Sequence, residues 1–268
     1  MTIGYWPLAA VLVTACAGAE AMSLQQPGAP AETGPTLGLH PGETMAFEVK
    51  LAGILAGEAQ LAVGQIGDVG GRKAVVVKSR AATAGAAAMI KHIVDEATSV
   101  IDVATGRPMR LDSLVETGDR KIIASATFTR DAVHVLYQRS DDKAPRKLKL
   151  KPGNDVIHDA HTAMADLRGW RANVGAQRRV FIIGGRRVWR VDLTYGGITT
   201  IGSALGNRRA VRYDGRAFRA KHNLKVESTK PGRTFSVWLS DDADRVPLKM
   251  VATTELGEVV MDLTDYSR

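Results

Sequence analysis

Residues 43–51 read Glu43-Thr44-Met45-Ala46-Phe47-Glu48-Val49-Lys50-Leu51, and their alternation decides the fold class. Met45, Phe47, Val49 and Leu51 share one side of a two-residue period, with Ala46, Glu48 and Lys50 on the other. That is the pattern of a strand with one face in a core. The same period recurs downstream. Ile122, Ala124, Ala126 and Phe128 alternate with Ser125 and Thr127, and Val133, Val135 and Tyr137 with His134 and Leu136. Near the end come Phe235, Val237 and Leu239, then Val246, Leu248 and Met250, then Val259, Met261 and Leu263. Turn-forming runs separate them, among them Asp68-Val69-Gly70-Gly71, Thr105-Gly106-Arg107-Pro108 and Ser240-Asp241-Asp242. Closely spaced strands with short turns predict a mainly β domain over residues 43–268. The expected form is a curved antiparallel sheet making a barrel or half-barrel.

Two segments break the period. Ala82 to Lys91 is alanine-rich and predicts a short helix or flap. Asp155 to Trp170 places Val156, Ala160, Ala163, Met164 and Leu167 at helical spacing, with Gly169 close to its end. A helix between two groups of strands is positioned to cap a barrel or to lie in the concave face of a sheet. No repeat of fixed period is visible, which excludes solenoids and propellers.

Composition excludes other classes. The 268 residues are 45% hydrophobic and 24% charged, so global disorder, collagen and coiled coil are excluded. One cysteine excludes internal disulfides and any cysteine-cluster metal site. Lys and Arg number 36 against 28 Asp and Glu, a net charge of +8, which suits a soluble basic surface or an anionic partner.

The N-terminus predicts export. Leu8 to Ala15 is an apolar run of about 12 Å as a helix, too short for a membrane span and suited to a signal peptide over residues 1–15. No Lys or Arg precedes it, a departure from the usual positive start of such signals. Val13-Thr14-Ala15-Cys16 resembles the bacterial lipobox, which implies lipidation of Cys16. Ala17 after the cysteine, by resemblance to the enterobacterial sorting rule, implies the periplasmic face of the outer membrane. Residues 16–42 hold four of the ten prolines and read as a flexible tether.

Val237-Trp238-Leu239-Ser240-Asp241-Asp242, with Arg245-Val246-Pro247-Leu248-Lys249, resembles the C-terminal signature of the domain-of-unknown-function family 3108. Gly42-Glu43, Phe47-Glu48-Val49, Leu55-Ala56-Gly57-Glu58-Ala59 and Gly106-Arg107-Pro108-Met109-Arg110 resemble it too. Asp159 to Arg168 is similar to the family's Asp-x-x-Ser/Thr-Ala…Leu-Arg helix, with Thr162 where Ser is common. The resemblance spans about residues 42–265. It implies an exported bacterial β-rich protein, and no activity or catalytic residue.

The residues themselves offer three functional readings. The leading one is a non-catalytic β domain binding a lipid or another apolar envelope molecule, because curved sheets enclose apolar cavities. Met45, Phe47, Val49 and Leu51 are its candidate cavity wall, or else simply core. The second is a scaffold docking an anionic protein, glycan or lipopolysaccharide through Arg178, Arg179, Arg186, Arg187, Arg190, Arg208 and Arg209. The basic clusters lack any nucleic-acid-binding motif, so nucleic acid is not an expected partner. The third is a metal-dependent enzyme, with His158 and His161 three apart on the predicted helix and Asp155 three earlier. It ranks last, because no nucleophile–base arrangement can be assembled and no cofactor is implied.

Overall fold

The computed structural model describes residues 37–229 and 231–268. Its first half holds β1 (Thr44–Leu51), β2 (Ile54–Val63), a short β3 (Gly67–Val69), β4 (Arg72–Thr83) and helix α1 (Gly85–Ile90). Then follow β5 (Ile93–Asp102), β6 (Pro108–Thr117), β7 (Arg120–Phe128), β8 (Val133–Arg139) and β9 (Arg146–Leu150). The second half runs through β10 (Ile157–His158), helix α2 (Ala160–Gly169), β11 (Gln177–Gly184), β12 (Arg187–Ser203) and β13 (Gly206–Ala220). It ends with β14 (Arg233–Ser240), β15 (Pro247–Thr254) and β16 (Gly257–Ser267).

All of these strands form one curved sheet, ordered β10-β11-β12-β13-β14-β15-β16-β1-β2-β4-β5-β6-β7-β8-β9, with β3 hydrogen-bonded to β4. Every pairing is antiparallel except β10 with β11. Chain neighbours are sheet neighbours almost throughout, and pairing of β1 with β16 joins the two halves. The sheet is not closed by hydrogen bonds: β9 and β10, six residues apart in sequence, are its two edges. Exposed Arg146, Lys147 and Lys149 charge the β9 edge, which discourages further strand addition.

The registers show how the open sheet curls. Phe47, Leu263, Met261, Met250, Val237, Tyr213 and Tyr195 lie on one continuous face, which runs on to Val180 and Ile182 of β11. In the other direction it passes through Ala59, Ala81 and Asp95 to Val115. This concave face carries the main core. Phe181, Ile183 and Val188 belong to the opposite, convex face of β11 and β12, yet they are buried with Leu111, Ala126, Val135 and Leu150 from β6–β9. One end of the sheet therefore overlaps the back of the other, like a spiral seam packed by side chains with no ladder across it.

Helix α2 fills the concave face. It starts at Ala160, not at Asp155 as the periodicity predicts, because Asp159 caps it. The Asp159 carboxylate accepts from Thr162 N at 2.8 Å, and Thr162 Oγ1 accepts from Asp159 N at 3.0 Å. Ala165 packs with Val75, Val77 and Ile101, and Leu167 with the main core. At its far end, buried Arg168 grips buried Glu43 at 2.6 and 3.0 Å and donates to the Asp244 carbonyl. The Tyr213 hydroxyl donates to the Trp170 carbonyl at 2.9 Å, inside an aromatic cluster of Trp170, Tyr195 and Tyr213. Burial pushes that phenol up to about 12. The packed domain also begins before Glu43. Leu37 and Leu39, in the stretch read as tether, are buried with Val63 and Val75.

Candidate functional site

A cleft of about 280 Å³ lies between the two ends of the curled sheet. Its floor is the concave face of β5–β7: Ala97, Leu111, Val115 and Ile122, with the polar Asp95, Ser113 and Thr117 among them. Its back wall is Ala160 and His161 at the start of α2, and its roof is the β11–β12 hairpin from Ile182 to Arg187 with Trp189. The roof depends on one turn. Gly184 pairs with Arg187, leaving Gly185 and Arg186 as the two central residues, and Gly185 has φ +55°. A glycine at the first central position suits the tight hairpin turn that matches strand twist. The tip lies close over the floor: a Cβ added at Gly185 would sit 3.7 Å from Ser113 Oγ. The mouth is polar and basic, with Arg120, Lys121, Arg139, Ser140, Asp141, Arg186 and Arg187.

His161 is buried beneath this cleft. Its Nδ1 lies 2.6 Å from Ser99 Oγ and its Nε2 2.9 Å from Ser79 Oγ, so both nitrogens are occupied by hydroxyls of β5 and β4. Burial lowers its pKa, opposed by the Asp159 charge, and holds the ring neutral. It ties the helix to the sheet.

Several predicted site residues lie elsewhere. Met45, Phe47 and Val49 are buried in the main core, with Leu51 packed against it, and none of the four lines the cleft. Their side chains share the main core with Leu167 of α2 and with Val180, Val191 and Tyr213 of β11–β13. His158, His161 and Asp155 do not come together. His158 belongs to β10, His161 to α2, and Asp155 is exposed in the preceding loop. Among the described residues no three His, Cys, Asp or Glu side chains are placed to hold a metal. The predicted helix that put the two histidines on one face begins between them.

Nor do the seven arginines make one face. Arg186 and Arg187 sit at one end of β12, whereas Arg208 and Arg209 pair with Ile201 and Thr200. Thirteen residues separate Arg187 from Thr200, about 40 Å along the strand. Most also have carboxylate partners: Arg178 with Asp166, Arg179 and Arg190 with Asp192, and Arg209 with Asp241. Cys16 lies outside the described residues. Among those residues no helix is long and apolar enough to cross a membrane.

What the sequence reading misses is the cleft itself. Its floor comes from β5–β7, of which only β7 shows as alternation, and its roof from a hairpin noted only for its arginines. The Gly184-Gly185 pair between apolar runs is the signal that marks the turn.

The curled open sheet around one helix defines a β-barrel-like protein. A solved structure of the same class is a β-barrel-like protein of the domain of unknown function DUF1849 from Brucella abortus. It is 10% identical, with a TM-score of 0.55, covering 85% of this chain and 97% of that one. The hypothetical lipoprotein YmcC from Escherichia coli (K12) is 11% identical, covering 87% of this chain and 88% of its own, at a TM-score of 0.30. The chain belongs to the family of proteins of unknown function DUF3108, whose model matches residues 46–264. None of the curated proteins matches it in sequence.

Proposed function

We propose that the protein is an exported lipoprotein, held by lipidated Cys16 at the periplasmic face of the outer membrane, whose β domain binds the acyl chain of an envelope lipid. The observation that carries this reading is the cleft, whose lining is mainly apolar, with Asp95, Ser113 and Thr117 as polar points within it, under a mouth rich in basic residues. Its 280 Å³ lies just below the roughly 300–1,000 Å³ of small-molecule sites, a size suited to one chain and not to a whole multi-chain lipid. The motif at residues 13–16 and the proline-bearing stretch after it support the anchor.

Native mass spectrometry of the full-length protein from its own host membranes tests both parts. The expected result is a mature mass beginning at Cys16 with acyl groups, plus a dissociable lipid adduct. In Val115→Trp, which fills the cleft, the adduct is expected to disappear while the acylation stays. An acylated but empty wild type, or an adduct that survives the substitution, overturns the cleft reading. An unacylated mass overturns the anchor.

A further inference from the structure

The cleft's roof is also the wall of a second cavity, about 470 Å³, whose lining includes Arg186, Arg187, Arg219, Lys221, His222 and Glu227. The β12–β13 register assembles it. Val188 faces Ala220, so Arg187 and Lys221 stand beside that pair and Arg219 faces Trp189. Four cations thus share the wall with one carboxylate, Glu227, which Arg219 holds at 3.3 Å.

The two roof arginines sit in crowded, partly buried surroundings. Arg186 stacks over Tyr137, and its Nε is buried without a hydrogen-bond partner. Burial first, then the charges of Arg186 and Arg219, push Arg187 down to about 10. Guanidinium groups crowded in a half-buried pocket repel one another, and a multiply charged anion removes that penalty. Forked N–H donors also fit phosphate oxygens two at a time. Arg186 and Arg187 line both cavities, so an anion in one is next to an apolar chain in the other.

We propose that the cavity formed by Arg186, Arg187, Arg219 and Lys221 binds the phosphate of a lipid headgroup whose acyl chain occupies the adjoining cleft. This rests on the cleft reading and adds the headgroup class. The Gly185-Arg186 turn is the partition that such a ligand straddles.

The test compares three probes on the purified full chain: a short-chain lysophosphatidic acid, a monoacylglycerol of the same chain, and inorganic phosphate. The lysophosphatidic acid is expected to bind at least about tenfold tighter than the monoacylglycerol, the effect of one or two charge-assisted hydrogen bonds. In Arg219→Gln/Lys221→Gln, whose two residues line the second cavity and not the cleft, that preference should shrink to within about twofold, with monoacylglycerol affinity unchanged; Lys221→Gln alone should reduce it partially and serves if the double variant does not fold. Equal binding of the two amphiphiles to the wild type overturns the headgroup site and leaves the cleft reading standing. Binding of neither amphiphile overturns both. Inorganic phosphate binding as tightly as the lysophosphatidic acid, with dependence on Arg219 and Lys221, assigns the pocket to free phosphate and overturns the headgroup assignment.

Discussion

Both ring nitrogens of His161 are held by serine hydroxyls, and that has a consequence for pH. Burial keeps His158 and His161 below the ordinary imidazole value, with nearby carboxylates opposing it. The folded state therefore takes up these protons less readily than the unfolded chain. As pH falls through about 6.5, the unfolded chain gains protons that the folded one refuses, and stability drops by up to about 1.4 kcal/mol per pH unit for each group. Asp142, held low by hydrogen bonds from Arg139, adds its own loss only at much more acidic pH. The melting temperature is thus expected to fall between pH 7 and pH 5, and to fall less in His161→Gln; identical pH profiles for the two proteins would refute the assignment. Arg187 has the same sign in a different window, since at neutral pH it is charged in the folded and the unfolded chain alike. Its folded pKa is depressed, so its charge destabilises the native state at neutral pH. Arg187→Gln is expected to raise the melting temperature by a few degrees, on the order of 1 kcal/mol after solvent screening, in a low-salt thermal scan. A lowered melting temperature would mean that its packing outweighs its charge.

At the scale of elements, α2 decides whether the barrel has an interior. It is clamped at its start by His161 and at its end by the Glu43–Arg168 pair, with both partners buried. Arg168→Met leaves the Glu43 carboxylate buried with its main partner gone, a cost of about 3–5 kcal/mol. A chain of this size then loses roughly 6–20 °C in melting temperature. The double variant Glu43→Leu/Arg168→Met removes the stranded charge and should recover most of that loss; if it melts no higher than the single variant, burial of the charge is not the cause. These two residues belong to segments that the sequence shows as separate motifs, Gly42-Glu43 and Asp159 to Arg168. The alternation of β1, β7, β8 and β14–β16 is legible because it is local, with each strand repeating one face against a core. The helix boundary is misread because Val156 happens to fall in phase with Ala160 and Ala163. The capping pair Asp159 and Thr162 is the local signal that outranks that phase. The meeting of Glu43 with Arg168 has no local signature at all, since 125 residues separate them.

At the scale of the whole molecule, the seam is where long-range geometry replaces pattern. No sequence period reveals that the convex face of β11 is buried, yet Phe181 and Ile183 alternate with Val180 and Ile182 in one unbroken apolar run. Such a run is the mark of a strand covered on both faces. The structure supplies the second cover, the concave face of β6–β9. Because β9 and β10 form no strand pairing across this seam, the β6–β9 end is held to the other edge by side-chain packing and the 151–156 connection, without a hydrogen-bond ladder. Ile183 is completely buried there, and Ile183→Ala should cost about 2–5 kcal/mol. The loss should also be local. Hydrogen exchange is expected to quicken in the amides of β6–β9 before those of β13–β16, since an end held by packing opens as its own unit. Uniform acceleration across all strands would show instead that the sheet opens only as a whole. The cleft lies between the same two ends, its floor on β5–β7 and its roof on β11–β12. A ligand seated there touches both sides of the seam, so ligand binding should slow exchange in β6–β9, the strands that Ile183→Ala releases.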